Sequence, residues 1–476
     1  MSTDLTPENA ASSVPATRFL ARPLWYWPEI AQALGAPLPG GGPEINGVSI
    51  DTRTLKPGDL FIALAGDPGE RFHTSSPGTR DGHEFLTQAE AAGAAGLLVS
   101  STQALGTPQL RVEDTLDGLW ALARAARARH LGKRIAITGS SGKTTAKSFL
   151  ASALSAAVEP GSLNNFWGVP LCLTRTHVDA QFSVLEIGTN QQGEIAPLAE
   201  LVKPEVAILL NVHPAHLGNF TSFQALTEEK LSISSGLEDI SQFVCEHSVA
   251  LQAGLQHKVI SFGEESGATV RLVGLEGASA EYITPRGRLV AQVPGGGKHR
   301  ALTLGAVIAA LLALDEDPQR AASLAADLVP KGRGNEVFLK RQDGGQWRLI
   351  DDSYNANPTS MTAALIALAQ APKRPTYAFI GEMLELGEDS EAYHLELLEH
   401  CSALDGVFCV GPGTQPLYEV LPAHKRLGYA DQAKIIDLEA LVKRLPSDGQ
   451  LLIKGSNRVF WAVQFAAQLA DQLQNS

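Results

Sequence analysis

Short apolar runs alternate with Ala- and Leu-rich stretches along most of the chain. The short runs are typical of buried β-strands, and the longer stretches between them predict helices. In the first quarter of the chain, strands are predicted at 47–50, 60–64 and 96–100, and a helix at 116–131. Strands that alternate with helices favour parallel sheets covered by helices, which is the α/β fold class.

The same alternation recurs twice farther along the chain. Strands are predicted at 135–138, 182–187, 206–210, 347–350, 377–380, 407–410 and 451–453. Helices are predicted at 144–154, 304–314 and 459–473. Weaker alternating runs at 259–293 indicate β-hairpins. We therefore expect three α/β domains, and we place them at 18–131, 132–330 and 331–476, after a loose polar tail at 1–17.

Composition supports ordinary globular domains and narrows the class of partner. The chain has 476 residues, of which 44% are hydrophobic and 19% are charged. Lys and Arg number 38 against 51 Asp and Glu, so the formal net charge is −13. This balance argues against nucleic acid as the main partner, because phosphate backbones attract a surplus of Lys and Arg. Small anionic ligands stay open, since they need only a locally positive pocket.

The cysteines and the apolar segments indicate a reduced, non-membrane protein. No C-x-x-C pair occurs, so neither a disulfide scaffold nor a structural zinc site is expected. We expect reduced thiols at Cys172, Cys245, Cys401 and Cys409. Residues 1–18 lack a signal-peptide pattern, and the apolar run 306–314 is shorter than the ~20 residues that span a bilayer. We predict a cytoplasmic location without membrane association.

The strongest motif is T-G-S-S-G-K-T-T at 138–145, between a predicted strand and a predicted helix. Its glycines let backbone N–H groups face phosphate oxygens at a helix N-terminus. Lys143 can reach the β- and γ-phosphates, and the Thr144 hydroxyl can ligate Mg²⁺. The alternative is a turn that merely caps a helix. The candidate nucleotide-binding residues here are Gly139, Ser140, Ser141, Gly142, Lys143, Thr144 and Thr145.

Three further polar residues follow the central strands. Glu186 ends a predicted strand, where a carboxylate can hold Mg²⁺ or form a salt bridge at the sheet edge. His213 and His216 follow the next strand, as metal ligands or as hydrogen-bonded structural residues. Lys230 by itself is typical of a helix surface.

Several longer strings together resemble the Mur ligases, and within them the type that adds D-alanyl-D-alanine. The resemblance covers residues 25–476. The strings are S-I-D-T-R at 49–53, P-G-D-L-F-I-A-L at 57–64, D-G-H-E-F at 81–85, N-N at 164–165, E-I-G at 186–188, D-D-S-Y-N-A-N-P at 351–358, G-E-M-L-E-L-G at 381–387 and K-G-S at 454–456. The strings at 351–358 and 381–387 distinguish this type from its sister ligases.

The resemblance implies a role for each catalytic candidate. Lys143 and Thr144 would hold the ATP phosphates and Mg²⁺, and Glu186 and His216 would belong to the metal site. Lys230 matches the family lysine that can be carbamylated, which turns a cation into a carboxylate-like metal ligand. The family usually continues with Gly-Glu after this lysine, whereas here Leu231 and Ser232 follow.

Other matches assign binding residues. Nucleotide contacts are implied for His299 and Arg333. Asn355 and Asn357 would contact the nucleotide or position the incoming dipeptide. Substrate contacts are implied for Ser49, Asp51, Arg53, Asn164, Asn165, Asp352, Tyr354 and Lys454. The family commonly shows G-x-H-N-x-x-N before the closing helix of the central domain, and here Arg300 and Thr303 replace both asparagines. Arg300 is a candidate to contact phosphate instead.

The implied architecture is an N-terminal UDP-sugar-binding domain, a central P-loop ATPase domain with a parallel sheet, and a C-terminal Rossmann-like domain hinged near 330–334. The implied reaction uses ATP and Mg²⁺ to join UDP-MurNAc-tripeptide to D-Ala-D-Ala in peptidoglycan precursor synthesis, by a monomer. The alternatives are a ligase for the third residue, a folylpolyglutamate-type enzyme and a decayed nucleotide-binding paralogue. A P-loop GTPase would need N-K-x-D, which the sequence lacks.

Overall fold

The computed structural model describes most of the chain, in two compact units. The described residues are 22–37, 40–67, 80–213, 219–255, 257–371 and 375–476. The first unit runs up to Gly132 and includes Thr174–Gln181, and the second contains Lys133–Leu173 and Phe182–Ser476. The tail predicted at 1–17 lies outside the described residues. Within them, no helix combines the length and apolar character needed to cross a membrane.

The first unit is a small α/β fold. Its strands are β1 (Trp25–Tyr26), β2 (Glu44–Ile45), β3 (Gly47–Ser49), β4 (Asp59–Ile62), β5 (Gly96–Val99) and β6 (Gln109–Arg111). Its helices are α1 (Trp27–Ala33), α2 (Leu86–Ala91) and α3 (Thr115–Arg129). Strands β3 to β6 pair in parallel in chain order, and β1 and β2 form an antiparallel pair. Helix α3 begins where the Asp114 carboxylate accepts the N–H groups of Leu116 and Asp117.

The central part of the chain forms an eight-stranded sheet. Its strands are β7 (Lys133–Thr138), β8 (Phe182–Glu186), β9 (Val206–Leu209), β10 (Phe243–Glu246), β11 (Ile260–Gly263), β12 (Val270–Glu276), β13 (Ser279–Thr284) and β14 (Gly287–Gln292). Its helices are α4 (Lys143–Leu154), α5 (Gly168–Arg175), α6 (Ile195–Val202), α7 (Phe223–Leu231), α8 (His247–Gln252) and α9 (Lys298–Ala313).

The order of the strands in this sheet is β14-β13-β12-β11-β10-β9-β7-β8. Strands β7 to β12 run in parallel, so their carboxyl ends lie at one edge, where ligands bind in such sheets. Strands β12 to β14 are antiparallel, which confirms the predicted hairpins there. Strand β11, within the same predicted stretch, pairs in parallel instead.

The third part of the chain forms a six-stranded sheet in the second unit. Its strands are β15 (Asn335–Lys340), β16 (Gln346–Asp352), β17 (Thr376–Gly381), β18 (Gly406–Val410), β19 (Arg426–Ala430) and β20 (Gly449–Lys454). Its helices are α10 (Pro358–Ala369), α11 (Ser390–Leu395), α12 (Leu398–Ser402), α13 (Gln415–Val420), α14 (Leu438–Val442) and α15 (Phe465–Gln474). The order is β15-β16-β20-β17-β18-β19, with only β15 antiparallel to its neighbour.

This six-stranded sheet is covered on both faces. Leu451 and Ile453 of β20 belong to one cluster of buried residues, whereas Leu452 between them belongs to another. Because successive side chains of a strand point to opposite faces, the two clusters lie on the two sides of the sheet. A mainly parallel sheet buried on both faces is the helix-covered arrangement that the sequence predicted. The α/β fold class is therefore confirmed.

Candidate functional site

The loop between β7 and α4 has the backbone that a phosphate cradle requires. Gly142 has φ +82°, in the left-handed region that favours glycine, and helix α4 begins at the next residue. The N-terminal N–H groups of α4 therefore face the sheet edge and carry its partial positive charge. Lys143 Nζ donates to Gly139 O at 2.5 Å, so the ammonium folds back over the loop.

The chain that follows β9 braces this loop. Ser141 N donates to Asn211 Oδ1 at 2.9 Å, and Asn211 Nδ2 donates back to Ser141 O at 3.2 Å. Ser140 Oγ donates to His213 O at 3.0 Å and accepts from His213 N at 2.9 Å. The residues after the two strands are thus tied together by hydrogen bonds in both directions, which fixes the shape of the phosphate loop.

Glu186, at the end of β8, is the centre of a polar cluster below the loop. Its Oε2 accepts from Ser162 Oγ at 3.0 Å and from Thr144 Oγ1 at 3.3 Å. Lys147 Nζ lies 3.0 Å from Glu186 Oε1, and both side chains are more than nine-tenths buried. The predicted pair of Thr144 and Glu186 is therefore brought together. A hydroxyl and a carboxylate oxygen fit Mg²⁺, which prefers oxygen ligands.

Lys230, in helix α7, is buried rather than on a helix surface. Its side chain is 2% exposed, and none of the described residues gives its Nζ a hydrogen bond or an ion pair. The pKa of Lys230 is lowered to about 7, chiefly by burial and in part by the positive charge of Lys143, whereas Glu229 opposes the shift. The same burial effect, opposed by Glu186, lowers the pKa of Lys143 to about 8. A large fraction of Lys230 is therefore a neutral amine near neutral pH.

Glu229 anchors the helix that carries Lys230. Its carboxylate accepts from Gly193 N at 2.7 Å, Glu194 N at 3.0 Å and Ile195 N at 2.7 Å. These three N–H groups lie at the start of α6, which has no partner for them within its own turns. Helix α7 is thus fixed to α6 one residue before Lys230.

The predicted metal site is described only in part. His216 lies outside the described residues, so its prediction is untested. His213 is described, and burial together with the charge of Lys230 lowers its pKa. Over the described ranges, no group of three or more His, Cys, Asp and Glu side chains is arranged to hold a metal ion.

A cavity of about 240 Å³ joins this edge of the eight-stranded sheet to the six-stranded sheet. The residues that line it from the two sides include Ser140, Asn211 and His299, and Asp352, Asn355 and Lys454. Many of the candidate nucleotide and dipeptide residues therefore share one space. His299 is exposed there.

The C-terminal candidates are held by hydrogen bonds around the end of β16. Lys454 Nζ donates to Asp352 Oδ2 at 2.6 Å and to Asn355 O at 3.2 Å. Asn357 Oδ1 accepts from Ser360 N at 2.8 Å and so caps helix α10. Asn355 is exposed on the cavity wall, and its amide makes no hydrogen bond with the residues described, so it is available to a ligand.

Arg333 reaches the phosphate loop from the start of the third part of the chain. Its Nη2 donates to Thr144 Oγ1 at 3.1 Å. Its guanidinium carbon lies 4.0 Å from the centre of the Tyr354 ring, within the range of a cation–π contact. Tyr354 therefore supports Arg333.

The two departures from the family pattern have different outcomes. Arg300 donates to four main-chain carbonyls, so it holds backbone where the sequence suggested a phosphate contact. Thr303 Oγ1 donates to His299 O at 3.0 Å. It lies 3.3 Å from the position that a Cβ on Gly142 would take, and thus packs against the phosphate loop.

The remaining substrate candidates lie elsewhere. In the first unit, Arg53 donates to both carboxylate oxygens of Asp51, at 2.9 Å from Nε and 2.6 Å from Nη2, and this lowers the pKa of Asp51. Ser49 Oγ donates to Asp51 O at 3.0 Å. In the second unit, Asn164 Nδ2 donates to Ser162 Oγ, beside Glu186, whereas Asn165 Oδ1 accepts from Gly168 N at the start of α5.

Several residues of this site were missed from the sequence, among them Lys147, Asn211 and Glu229. Lys147 lies four residues after Lys143, on the same helix face, so its spacing was a usable signal. Asn211 directly follows a parallel strand, which was also a signal. Glu229 gave none, because its partners lie 34–36 residues earlier in the chain.

Two family models match the chain, and their ranges fall in the second unit except for residues 174–181. The Mur ligase middle domain matches residues 137–311, and the Mur ligase, glutamate ligase domain matches residues 336–457. These ranges contain the phosphate loop and the segment at the end of β16, respectively.

Curated relatives match over most of their length. The UDP-N-acetylmuramoyl-tripeptide–D-alanyl-D-alanine ligase of Escherichia coli is 33% identical over 444 residues, which cover 90% of this chain and 94% of the relative. The ligase of the same name from Bacillus subtilis is 31% identical and covers 87% of this chain and 91% of its own.

Solved structures agree with these relatives. A crystal structure of MurF from Acinetobacter baumannii has a TM-score of 0.78 at 30% identity and covers 94% of this chain and 99% of its own. The MurF ligase of Thermotoga maritima in complex with ADP has a TM-score of 0.72 at 26% identity, covering 90% and 97%. The chain belongs to the Mur ligase family, and within that family to the MurF type.

Proposed function

We propose that this protein is an ATP-dependent ligase that joins D-alanyl-D-alanine to UDP-MurNAc-tripeptide, giving the pentapeptide, ADP and phosphate. The observation that carries the proposal is the single cavity shared by the phosphate loop and the segment around Asp352 and Asn355. The names of the curated relatives support the same reaction and give no support to a ligase for the third residue or to a folylpolyglutamate-type enzyme.

The reaction has two steps. An oxygen of the peptide carboxylate attacks the γ-phosphorus of ATP, and the bond to the β–γ bridging oxygen breaks to release ADP and leave an acyl phosphate. The amine of the dipeptide then attacks the acyl carbon, the C–O bond to phosphate breaks, and the amine loses a proton. The chain must therefore bring anions together and exclude water from the acyl phosphate.

The cations at the phosphate loop suit the first step. Lys143 and Arg333 both lie at the loop, where they can offset the charge of the triphosphate and of the approaching carboxylate. The N–H groups at the start of α4 add to the same field. No side-chain nucleophile is needed, so these residues act by binding and orientation.

We also propose that Mg²⁺ binds at Thr144 and Glu186, with His216 and a carbamylated Lys230 as further residues of the site. When bound, Mg²⁺ neutralises phosphate charge as it shifts during transfer. Lys230 supports this proposal through its burial and its lowered pKa, because only a neutral amine adds to CO₂. The carbamate would give Lys230 a negative charge close to Lys143.

The nucleotide-sugar end of the substrate belongs to the first unit in this proposal. Ser49, Asp51 and Arg53 form a turn in which the Arg53 side chain remains largely exposed and able to meet a phosphate. The three domains at 18–131, 132–330 and 331–476, the cytoplasmic location and the monomeric state are parts of the same proposal.

One assay tests the reaction. Purified protein is mixed with ATP, Mg²⁺, UDP-MurNAc-tripeptide and D-Ala-D-Ala, and phosphate release is followed together with the mass of the product. We expect release only when both substrates are present and a product heavier by one dipeptide less one water. L-Ala-L-Ala is the stereochemical control and should give no product.

The same assay separates the alternatives. UDP-MurNAc-dipeptide and a single amino acid, in place of the two substrates, test for the ligase that adds the third residue. Glutamate and a folate test for the folylpolyglutamate type. Turnover with either of these pairs, or none with any pair, would contradict the proposal.

A further inference from the structure

Arg300, at the start of α9, forms a bracket between two stretches of main chain. Its Nη1 donates to Gly295 O at 2.7 Å and to Gly296 O at 3.2 Å. Its Nη2 donates to the carbonyl oxygens of Arg333 and Gly334, both at 2.9 Å. One guanidinium thus joins the turn before α9 to the segment that enters β15.

The charge of Arg300 is satisfied by these carbonyls alone. The residue is 6% exposed, and no carboxylate among the described residues forms an ion pair with it. Burial lowers its pKa, and the more distant charges of Asp352 and Glu336 oppose that shift. A buried cation whose hydrogen bonds all go to backbone is costly to release, so it holds that backbone firmly.

Two glycines leave room for the guanidinium. A Cβ on Gly334 would lie 2.3 Å from Arg300 Nη2, and a Cβ on Gly295 would lie 3.0 Å from Nη1. Both glycines also have positive φ, of +81° and +68°. Gly295 and Gly334 therefore leave the space that the Arg300 guanidinium occupies.

The segment held by Arg300 carries a side chain of the nucleotide site. The backbone carbonyl of Arg333 is one of the four acceptors, while its side chain reaches Thr144 and lies against Tyr354. We propose that Arg300 is a positioning residue that braces residues 333–334 and thereby keeps Arg333 on the phosphate loop. Its effect on turnover rests on the ligase function proposed above.

The kinetic test compares single and double variants. Arg300→Met and Arg300→Lys are assayed with Arg333→Met and the double variant Arg300→Met/Arg333→Met. Both single Arg300 variants should lose about tenfold to hundredfold in kcat, with the KM for the nucleotide-sugar peptide unchanged. Lysine should retain folding but not kcat, since an ammonium cannot span four carbonyls.

The double variant shows whether the effects of Arg300 and Arg333 on kcat depend on each other. In the Arg333→Met background, adding Arg300→Met should cost less than about threefold, because the side chain that it positions is already gone. Full additivity, or wild-type kcat in Arg300→Lys, would overturn the proposal. Arg288→Met, at an arginine largely exposed on β14, is the control and should keep wild-type kcat.

A second measurement is independent of the ligase reaction. Gly334 N donates to Asp351 O at 2.7 Å, so its amide exchange with solvent reports on the braced segment. In Arg300→Lys the exchange at 333–335 should be at least about tenfold faster than in the wild type, and in Arg288→Met unchanged. Unaltered exchange in Arg300→Lys would refute the brace, whereas wild-type protein without dipeptide-dependent turnover would refute only the ligase function.

Discussion

Helices α4 and α7 each bring lysine to the nucleotide site, in opposite surroundings. On α4, Lys143 donates to a loop carbonyl and Lys147 pairs with Glu186. On α7, Lys230 is more deeply enclosed and has no such partner among the described residues. The residue type is the same, but both α4 lysines have a polar partner, whereas on α7 burial without a described partner lowers the pKa of Lys230. The packing around a lysine therefore decides whether it is suited to bind phosphate as a cation or to react as an amine.

The largest effect should come from the lysine that faces phosphate. Lys143→Met should lower kcat by about 10³-fold while the melting temperature changes little, because a charge aimed at the triphosphate is lost. Phosphate release and thermal unfolding are measured on the same preparation. Lys443→Met, at an exposed lysine paired with Glu439, should leave both unchanged. An active Lys143→Met would remove this residue from the phosphate site.

Lys147 should matter chiefly to stability. Lys147→Met leaves Glu186 buried without its cation, and the free energy of unfolding should fall by about 3–5 kcal/mol. Urea unfolding measures the loss. The double variant Lys147→Met/Glu186→Gln should recover most of it, because neither charge of this pair is left. A single variant as stable as the wild type would show that the pair contributes nothing to stability.

Lys230 should respond to CO₂. In CO₂-free buffer at pH 8, we expect activity to fall about tenfold and to return on addition of bicarbonate. Since the pKa of Lys230 is about 7, more bicarbonate should be needed at pH 6, where most of the amine is protonated. Lys230→Met should show no more than this residual activity at every bicarbonate level and should not respond to bicarbonate. Bicarbonate-independent activity would argue against carbamylation.

The smallest expected effect is a pH-dependent stability difference. The pKa of Lys230 is about 7 in the folded chain and near 10.4 when unfolded, so between these values the unfolded state binds the extra proton. Wild-type stability should therefore rise with pH across this window. In CO₂-free buffer, Lys230→Met should melt roughly 5 °C higher than the wild type at pH 7, and the gap should shrink towards pH 10.

The control for this difference is Lys443→Met. The carboxylate of Glu439 raises the pKa of Lys443, so removing that side chain should give no gain at pH 7. A Lys230→Met gap that stays constant with pH would mean that altered packing, not charge, causes it.

The sequence predicted the phosphate loop well because its chemistry is local. The residues at 138–145 occur in one run, between a strand and a helix that the structure confirms. The contacts of Arg300 and Glu229 could not be predicted, since each joins segments more than thirty residues apart in the chain. For Lys230 the family resemblance pointed to the metal site, whereas the residue by itself suggested a helix surface.

Fold predictions failed at sheet edges and at helix ends, and also at β10, which lies inside the eight-stranded sheet. Strands β15 and β19 were missed, and both lie at the edges of the six-stranded sheet, where polar and apolar residues mix. The last helix was predicted from 459, but it begins at Phe465, because Gln464 adopts φ +53°. Such a backbone conformation interrupts a helix without leaving a trace in the apolar pattern.

The capping role of Asn357 changes how mutational scans of this protein should be interpreted. Asn357 lines the cavity, yet its side-chain oxygen already accepts the N–H of Ser360. Most substitutions there would unravel the first turn of α10 and lower cellular abundance before any ligand is involved. Asn357→Asp or Asn357→Ser would preserve the cap, so only such variants can report a ligand contact. A screen scored on growth alone would not separate the loss of the cap from the loss of a ligand contact.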